Sequence, residues 1–199
     1  WIDSGYLVSK NKYNENSIIA EVYTTNHGKY SGIIFGASSK KIKNYLQIGN
    51  LLHINYSSKN ENQIGFFKVE IIKALTPLYF DQSKKLMCIA SAMNLIKFLT
   101  VEAQENLKIF DLISDLFIIL DNKEWIKEYI FWELKLFKFI GYDLALKKMV
   151  KETFINNNKE YYVQSNNEKK IIPNFLIDDY LENLDNQTLI QGLRLVGDY

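Results

Sequence analysis

The sequence predicts an α+β chain of more than one domain, with a five-stranded β-barrel followed by a mainly α-helical region. Three observations lead there. Residues 1–75 alternate apolar and polar side chains in short runs separated by turn residues; apolar residues recur at helical spacing from Asp81 onward; and the texture changes at Thr76-Pro77. At 199 residues, either part can bury enough apolar surface to fold without disulfide or metal staples.

The strands come in order. Ile2 to Ser9 forms a first and Ser17 to Thr24 a second, and Thr25-Asn-His-Gly-Lys29 reads as a hairpin in which Asn26 and Gly28 can take positive φ. Tyr30 to Gly36 returns as a third strand. Gly36-Ala-Ser-Ser39 then breaks the run and leads into a basic, irregular segment carrying Lys40, Lys41 and Lys43. Leu51 to Ser57 is a fourth strand, residues 58–62 a polar turn, and Ile64 to Ala74 a fifth. Five short strands with an insertion between the third and fourth suit a small closed barrel; the OB-fold is the common one that binds nucleic acid, and an SH3-type barrel is the alternative.

Beyond Pro77, Leu86, Ile89, Ala90, Met93, Ile96 and Leu99 make one helical face, and Asn106 to Leu120 a second helix with Leu107, Phe110, Ile113, Phe117 and Leu120 facing one way. Glu124 to Ile140 is so apolar that it is expected at the centre of a bundle, with Gly141 as its left-handed C-cap. Residues 153–172, in which Asn156-Asn-Asn158 and Asn166-Asn167 flank Tyr161-Tyr-Val-Gln164, read as a two-stranded excursion or an ordered loop. A last helix begins near Asn186. The expected division is therefore 1–75, a nucleic-acid-binding barrel, and 76–199, a helical domain. A start at Trp1 and a stop inside the last helix point to further sequence at the ends.

The charges nearly cancel, 24 basic against 23 acidic, yet they are unevenly spread. Residues 1–75 hold nine lysines and five acids, a balance of +4, whereas the remainder holds 15 basic and 18 acidic residues. An anionic partner would meet the front of the chain. Because Arg194 is the single arginine and Asn, Ile and Lys abound, part of the lysine usage reflects the coding bias of an AT-rich genome. The one cysteine, Cys88, excludes an intrachain disulfide and a cysteine-cluster zinc site, fits a buried inert thiol, and suits a reducing cytosol. The longest apolar stretch, Leu107 to Leu120, is broken by Asp111 and Asp115 and falls short of the ~20 residues that span a bilayer. A soluble chain without a membrane partner is expected.

Catalysis finds little footing. His27 lies in a turn and His53 on a strand, neither beside a nucleophile; Gly32 and Gly36 miss the phosphate-loop spacing; Asp111 and Asp115 read as the wet face of a helix, and Asp178-Asp179 as surface or capping residues. No enzyme activity and no cofactor are expected. Binding to single strands instead needs a cationic groove for phosphates and aromatic faces for bases. Lys10, Lys12, Lys29, Lys40, Lys41 and Lys43 fall at strand ends and loops that converge on one rim of a barrel, interleaved with Tyr6, Tyr13, Tyr30 and Tyr45. The site is expected to comprise those six lysines and Tyr30. A protein-interaction barrel that uses lysines only for solubility is the alternative.

Five segments in order resemble the bacterial RecO family: Tyr23-Thr-Thr-Asn-His-Gly-Lys29, Gly36-Ala-Ser-Ser-Lys-Lys-Ile-Lys43, Leu46-Gln-Ile-Gly-Asn50, Trp132-Glu-Leu-Lys-Leu-Phe-Lys-Phe-Ile-Gly-Tyr142 and Gly192-Leu-Arg-Leu-Val-Gly197. The likeness is to the alphaproteobacterial branch. It implies an N-terminal OB-fold joined to a helical domain, acting as a recombination mediator in RecF-type DNA repair. It further implies binding to single- and double-stranded DNA, annealing of complementary strands, contact with the acidic C-terminal tail of SSB, and work with RecR to load RecA in a bacterial, nucleoid-associated cytoplasm. By matching position, Lys40, Lys41 and Lys43 take the basic places after the serine motif, and Lys29 the one after the hairpin glycine. Phe35 stands where the family pattern often has arginine, and Asn44 and Ile48 replace prolines. Many relatives carry a four-cysteine zinc site in the region of 153–172; this chain has no cysteine there, so packing and hydrogen bonds must hold that segment.

Overall fold

The computed structural model describes residues 1–60, 63–155, 158–165, 168–178 and 184–197. Strands β1 (Ile2–Lys12), β2 (Ser17–Thr24), β3 (Gly28–Phe35), β4 (Leu51–Ser57) and β5 (Gly65–Lys73) close into a barrel in the order β1-β2-β3-β5-β4, with β4 returning to β1. The pairs are antiparallel except β3 with β5, which run parallel at Gly32↔Gly65 and Ile33↔Phe66. That closure, with a short helix α1 (Lys40–Tyr45) between β3 and β4, is an OB-fold, and the SH3-type alternative falls away. Alternation sends Ala20, Val22, Leu52, Ile54, Phe67 and Val69 inward. A bulge between Leu7 and Ser9 breaks the alternation of β1, so Leu7 and Val8 are buried together.

The hairpin turn adopts half of the expected chemistry. Gly28 has φ +69, but Asn26 does not take a positive φ; its backbone and side-chain N–H groups instead donate to the carboxylate of Asp3, at 2.9 and 3.0 Å. Burial alone would push the Asp3 carboxyl up, yet hydrogen bonds from His27, Asn26 and Ser4 outweigh it and hold the group below its ordinary value.

The chain packs as two compact units, Trp1–Ile118 and Ile119–Tyr199. The strands end near residue 75 as expected, but the first unit continues through α2 (Ser83–Leu99) and most of α3 (Leu107–Leu120). On α2 the buried stripe is Cys88, Ile89, Ala92, Met93 and Ile96; Ala90, expected on it, is exposed, being one residue and about 100° on from Ile89. On α3, Leu107 is exposed while Ile113, Phe117 and Leu120 face inward.

In the second unit, α4 (Trp125–Phe139), α5 (Leu146–Met149), β6 (Lys151–Ile155), β7 (Asn158–Ser165), β8 (Glu168–Ile172) and α6 (Asn186–Gly197) share a core of Ile130, Tyr161, Ile172, Phe175, Leu195 and Val196. Within the described residues of this unit α4 packs beside α6, and Lys135 and Lys138 give it the exposed polar face that its composition hid. A three-stranded antiparallel sheet, β6-β7-β8, stands where two strands or a loop were expected; Asn156, Asn157, Asn166 and Asn167 lie outside the described residues, as does Asp179. Asp178 accepts a hydrogen bond from the Tyr161 hydroxyl at 2.8 Å. Gly141 caps α4 as expected, with φ +97, its N–H on the Lys138 carbonyl and that of Tyr142 on the Phe137 carbonyl.

Two outcomes follow from this packing. A Cβ at Gly28 would lie 2.0 Å from the Gln104 carbonyl oxygen, so Gly28→Ala is expected to lower stability by at least about 1–3 kcal/mol, read by chemical denaturation. Glu133 is buried on α4, and burial pushes its carboxyl above 4.5 against a hydrogen bond from Tyr129 that pulls it down. A raised carboxyl favours the folded state below the unfolded value, and that advantage is lost as pH rises through the folded one. Glu133→Gln is therefore expected to gain stability relative to wild type as pH climbs above 4.5, in denaturation curves taken from acid to neutral pH.

Candidate nucleic-acid interface

The β2–β3 tip is covered by the chain that leaves α2. The Lys29 ammonium donates to the carbonyls of Lys97 and Thr100 at the end of that helix, where a cation is favoured by the unpaired carbonyls and the helix dipole. The Ala103 N–H donates to the Lys29 carbonyl at 2.8 Å, the Tyr23 hydroxyl to the Asn106 carbonyl at 3.3 Å, and Lys97 pairs with Glu21 at 3.3 Å. Burial pushes the Tyr23 hydroxyl up to about 12. Tyr30 is half-buried, its ring edge-on to Trp1 at 5.2 Å and to Tyr56 at 5.4 Å, while Trp1 stacks on His27 at 4.2 Å. Lys29 and Tyr30 are thus engaged at this end.

The other lysines gather at the opposite end. In the β2–β3 register Thr24 faces Gly28 at the tip and Ser17 faces Phe35 at the far end, a span of about 20 Å along the strands. There, Lys10 and Lys12 at the end of β1 join Lys43 of α1 in lining a pocket of about 230 Å³, with Ile18, Ala37 and Leu46 as its apolar part. The Lys10 ammonium donates to the Leu46 carbonyl. Burial, and secondarily the charge of Lys43, hold it below its ordinary value, so two cations face each other here. Lys40 and Lys41 are exposed on α1 beside them. The single rim expected for six lysines is therefore two ends, five lysines at one and Lys29 at the other.

Local chemistry explains why α1 presents its lysines. The segment is a helix rather than irregular chain: the Ser39 hydroxyl accepts from the Ile42 N–H at 3.4 Å as an N-cap, and Ile42, Tyr45 and Leu46 pack on the barrel core. Asn50, fully buried, donates to the Tyr45 carbonyl at 3.1 Å and accepts from the N–H groups of Leu75 and Thr76 at 3.0 and 3.2 Å. With the apolar side fastened down, the ammonium groups face water.

A second cleft, of about 460 Å³, also borders α1, at Ile42, and is lined by Phe35, Ser57, Phe66 and Lys68 among others. Phe35 is 61% exposed and stacks on Phe66 with ring centroids 5.4 Å apart and planes at 23°. The tyrosines singled out from sequence are elsewhere: Tyr6 is buried against Phe110 and Phe117, Tyr45 packs on the barrel core, and Tyr13 lies exposed in the β1–β2 turn. Strand alternation is the signal that marks the phenylalanines, since Phe35 follows inward Ile34 and Phe66 precedes inward Phe67. Among the described residues no group of three or more His, Cys, Asp or Glu could hold a metal ion, and no helix is long and apolar enough to cross a membrane.

Comparison with known proteins agrees with this architecture. Residues 1–75 match the family model "Recombination protein O N terminal" and residues 81–199 match "Recombination protein O C terminal". The chain belongs to the RecO family. Its changeover at 75/81 coincides with the end of the barrel strands. Among RecO relatives, a protein named "DNA repair protein RecO" from Rickettsia canadensis (strain McKiel) is 32% identical over 193 residues, covering 89% of this chain and 78% of that protein. The protein of that name from Wolbachia sp. subsp. Drosophila simulans (strain wRi) is 28% identical over 220 residues, 99% of this chain and 89% of its own length. A third, from Rickettsia africae (strain ESF-5), is 34% identical over 146 residues, 73% of this chain and 61% of that protein.

Lys29 serves as a discriminating position. Lys29→Ala is expected to cost about 1–2 kcal/mol of stability, because the carbonyls at the end of α2 lose their cation, while leaving oligonucleotide affinity unchanged. Thermal denaturation and a binding titration on the same preparation check both halves.

Proposed function

We propose that this RecO-family chain is a DNA repair protein that binds DNA at the open end of its barrel, through Lys10, Lys12, Lys40, Lys41 and Lys43. The observation that carries the reading is the convergence of these lysines around α1, with no carboxylate lining either adjoining cleft among the described residues. Lys10 is held below its ordinary value mainly by burial and secondarily by the charge of Lys43, and a phosphate backbone relieves that second effect while releasing its own counterions. The name carried by the relatives supports DNA as the polymer.

Several finer roles come with the family. By neutralising two strands at once, the lysines would lower their mutual repulsion while bases pair, which is annealing; contact with the SSB tail, partnership with RecR and loading of RecA would place that step on SSB-coated DNA. The chain acts by binding, without turnover, on single- and double-stranded DNA in the bacterial cytoplasm at the nucleoid.

Salt dependence tests the site. In fluorescence-anisotropy titrations with a single-stranded oligonucleotide, replacing Lys40, Lys41 and Lys43 together by alanine is expected to flatten the slope of log affinity against log salt by ~0.7 for each lost phosphate contact, ~2 in all. A slope equal to wild type would remove these lysines from the interface.

A further inference from the structure

We infer that the Phe35–Phe66 pair is a stacking platform for unpaired nucleobases, so that the open end of the barrel reads single strands through their bases as well as their phosphates. This rests on the DNA-binding reading above and adds a base-binding site to it. Phe35 is 61% exposed at the very end of β3, although its inner face is already stacked on Phe66. Its outer face is left to solvent, beside a cleft of about 460 Å³. One exposed aromatic ring on a surface is ordinary. Here the ring is one of a stacked pair, and the cleft beside it has an apolar wall from Ile42 and a cation in its lining, Lys68 on β5; Lys41 and Lys43 are exposed next to Ile42 in the chain.

Charge complementarity selects the occupant. An apolar peptide would leave the lysines unpaired, and an acidic one would meet them with carboxylates but brings no regular succession of flat π-faces to Phe35. A single-stranded nucleic acid supplies flat π-faces at intervals with a phosphate between each, which is the alternation the surface presents: ring, cleft and cation. Duplex DNA keeps its base faces stacked inside and can offer them to Phe35 only at its ends. The platform therefore favours single strands, whereas the lysines bind either form. Base–aromatic stacking is worth about 1–3 kcal/mol per base, roughly five- to 160-fold in affinity, and it is insensitive to salt because no counterion is released.

The test uses the full chain with three probes: a fluorescent oligothymidine, an abasic oligonucleotide of the same length and label, and a duplex whose two ends are closed by non-nucleotide linkers. Phe35→Leu keeps apolar bulk but removes the π-face, and Phe35→Tyr keeps the face; the site is exposed enough for both variants to leave folding intact, which circular dichroism confirms. Phe35→Leu is expected to weaken oligothymidine binding at least five-fold with an unchanged salt slope, to leave abasic and duplex binding as in wild type, and to be rescued by Phe35→Tyr. Equal binding of oligothymidine by wild type and Phe35→Leu, or equal losses on the oligothymidine and abasic probes, would overturn the platform. The lysine triple variant separates the two readings: a flattened slope with no Phe35 effect leaves the phosphate track standing alone, and a Phe35 effect with an unchanged slope leaves only the bases.

Discussion

The ammonium group of Lys29, seated on the carbonyls that end α2, is the attachment on which the layout of the first unit depends. It fastens the β2–β3 tip to the segment that leaves the helix, and the Ala103–Lys29 and Tyr23–Asn106 hydrogen bonds extend the seam. An OB-fold commonly offers the face of its second and third strands and the neighbouring loops to a ligand. In this chain part of that face is occupied from within. The proposed ligand surface lies at the other end of the barrel, where β1 and β3 finish and α1 begins.

At that end the important quantity is how charge and apolar surface are sorted over a few residues. The helix α1 is six residues long and could not persist alone; Ser39 at its start, Asn50 beyond its end and the apolar grip of Ile42 and Leu46 hold it against the barrel. Its lysines have no choice but to face solvent. The partly buried Lys10, drawn to the Leu46 carbonyl, adds a cation that cannot move away from Lys43. A surface preloaded with repulsion in this way gains most from a polyanion and little from a neutral partner.

The second unit keeps its small sheet without any cysteine. Tyr161 and Ile172 sink into the core beneath it, the Asn174 amide donates to the Lys159 carbonyl at 2.7 Å, and Lys159 pairs with Glu152 at 2.9 Å. Packing and hydrogen bonds are what hold it. Its least expected member is Glu133, a carboxyl buried on the helix that composition marked as almost wholly apolar. A periodicity argument treats such a residue as wet by default, and only the neighbours around it reverse that.

Strand identity, the hairpin at Gly28, the change of texture near Pro77 and the cap at Gly141 were all legible in the order of residues, because each is set by local preferences: alternation, permissive φ, a missing N–H and a left-handed turn. Family membership was legible too, since the five motif segments occur in order along the chain. What the residues alone left open was which lysines share a surface and which aromatic rings stay outside. Lys29 and Lys40 look equivalent along the chain; one closes a helix end about 20 Å along the strands from where the other meets water, and that difference is made by contacts among residues more than seventy positions apart. Propensity is a property of neighbours in sequence, and an interface is a property of neighbours in space.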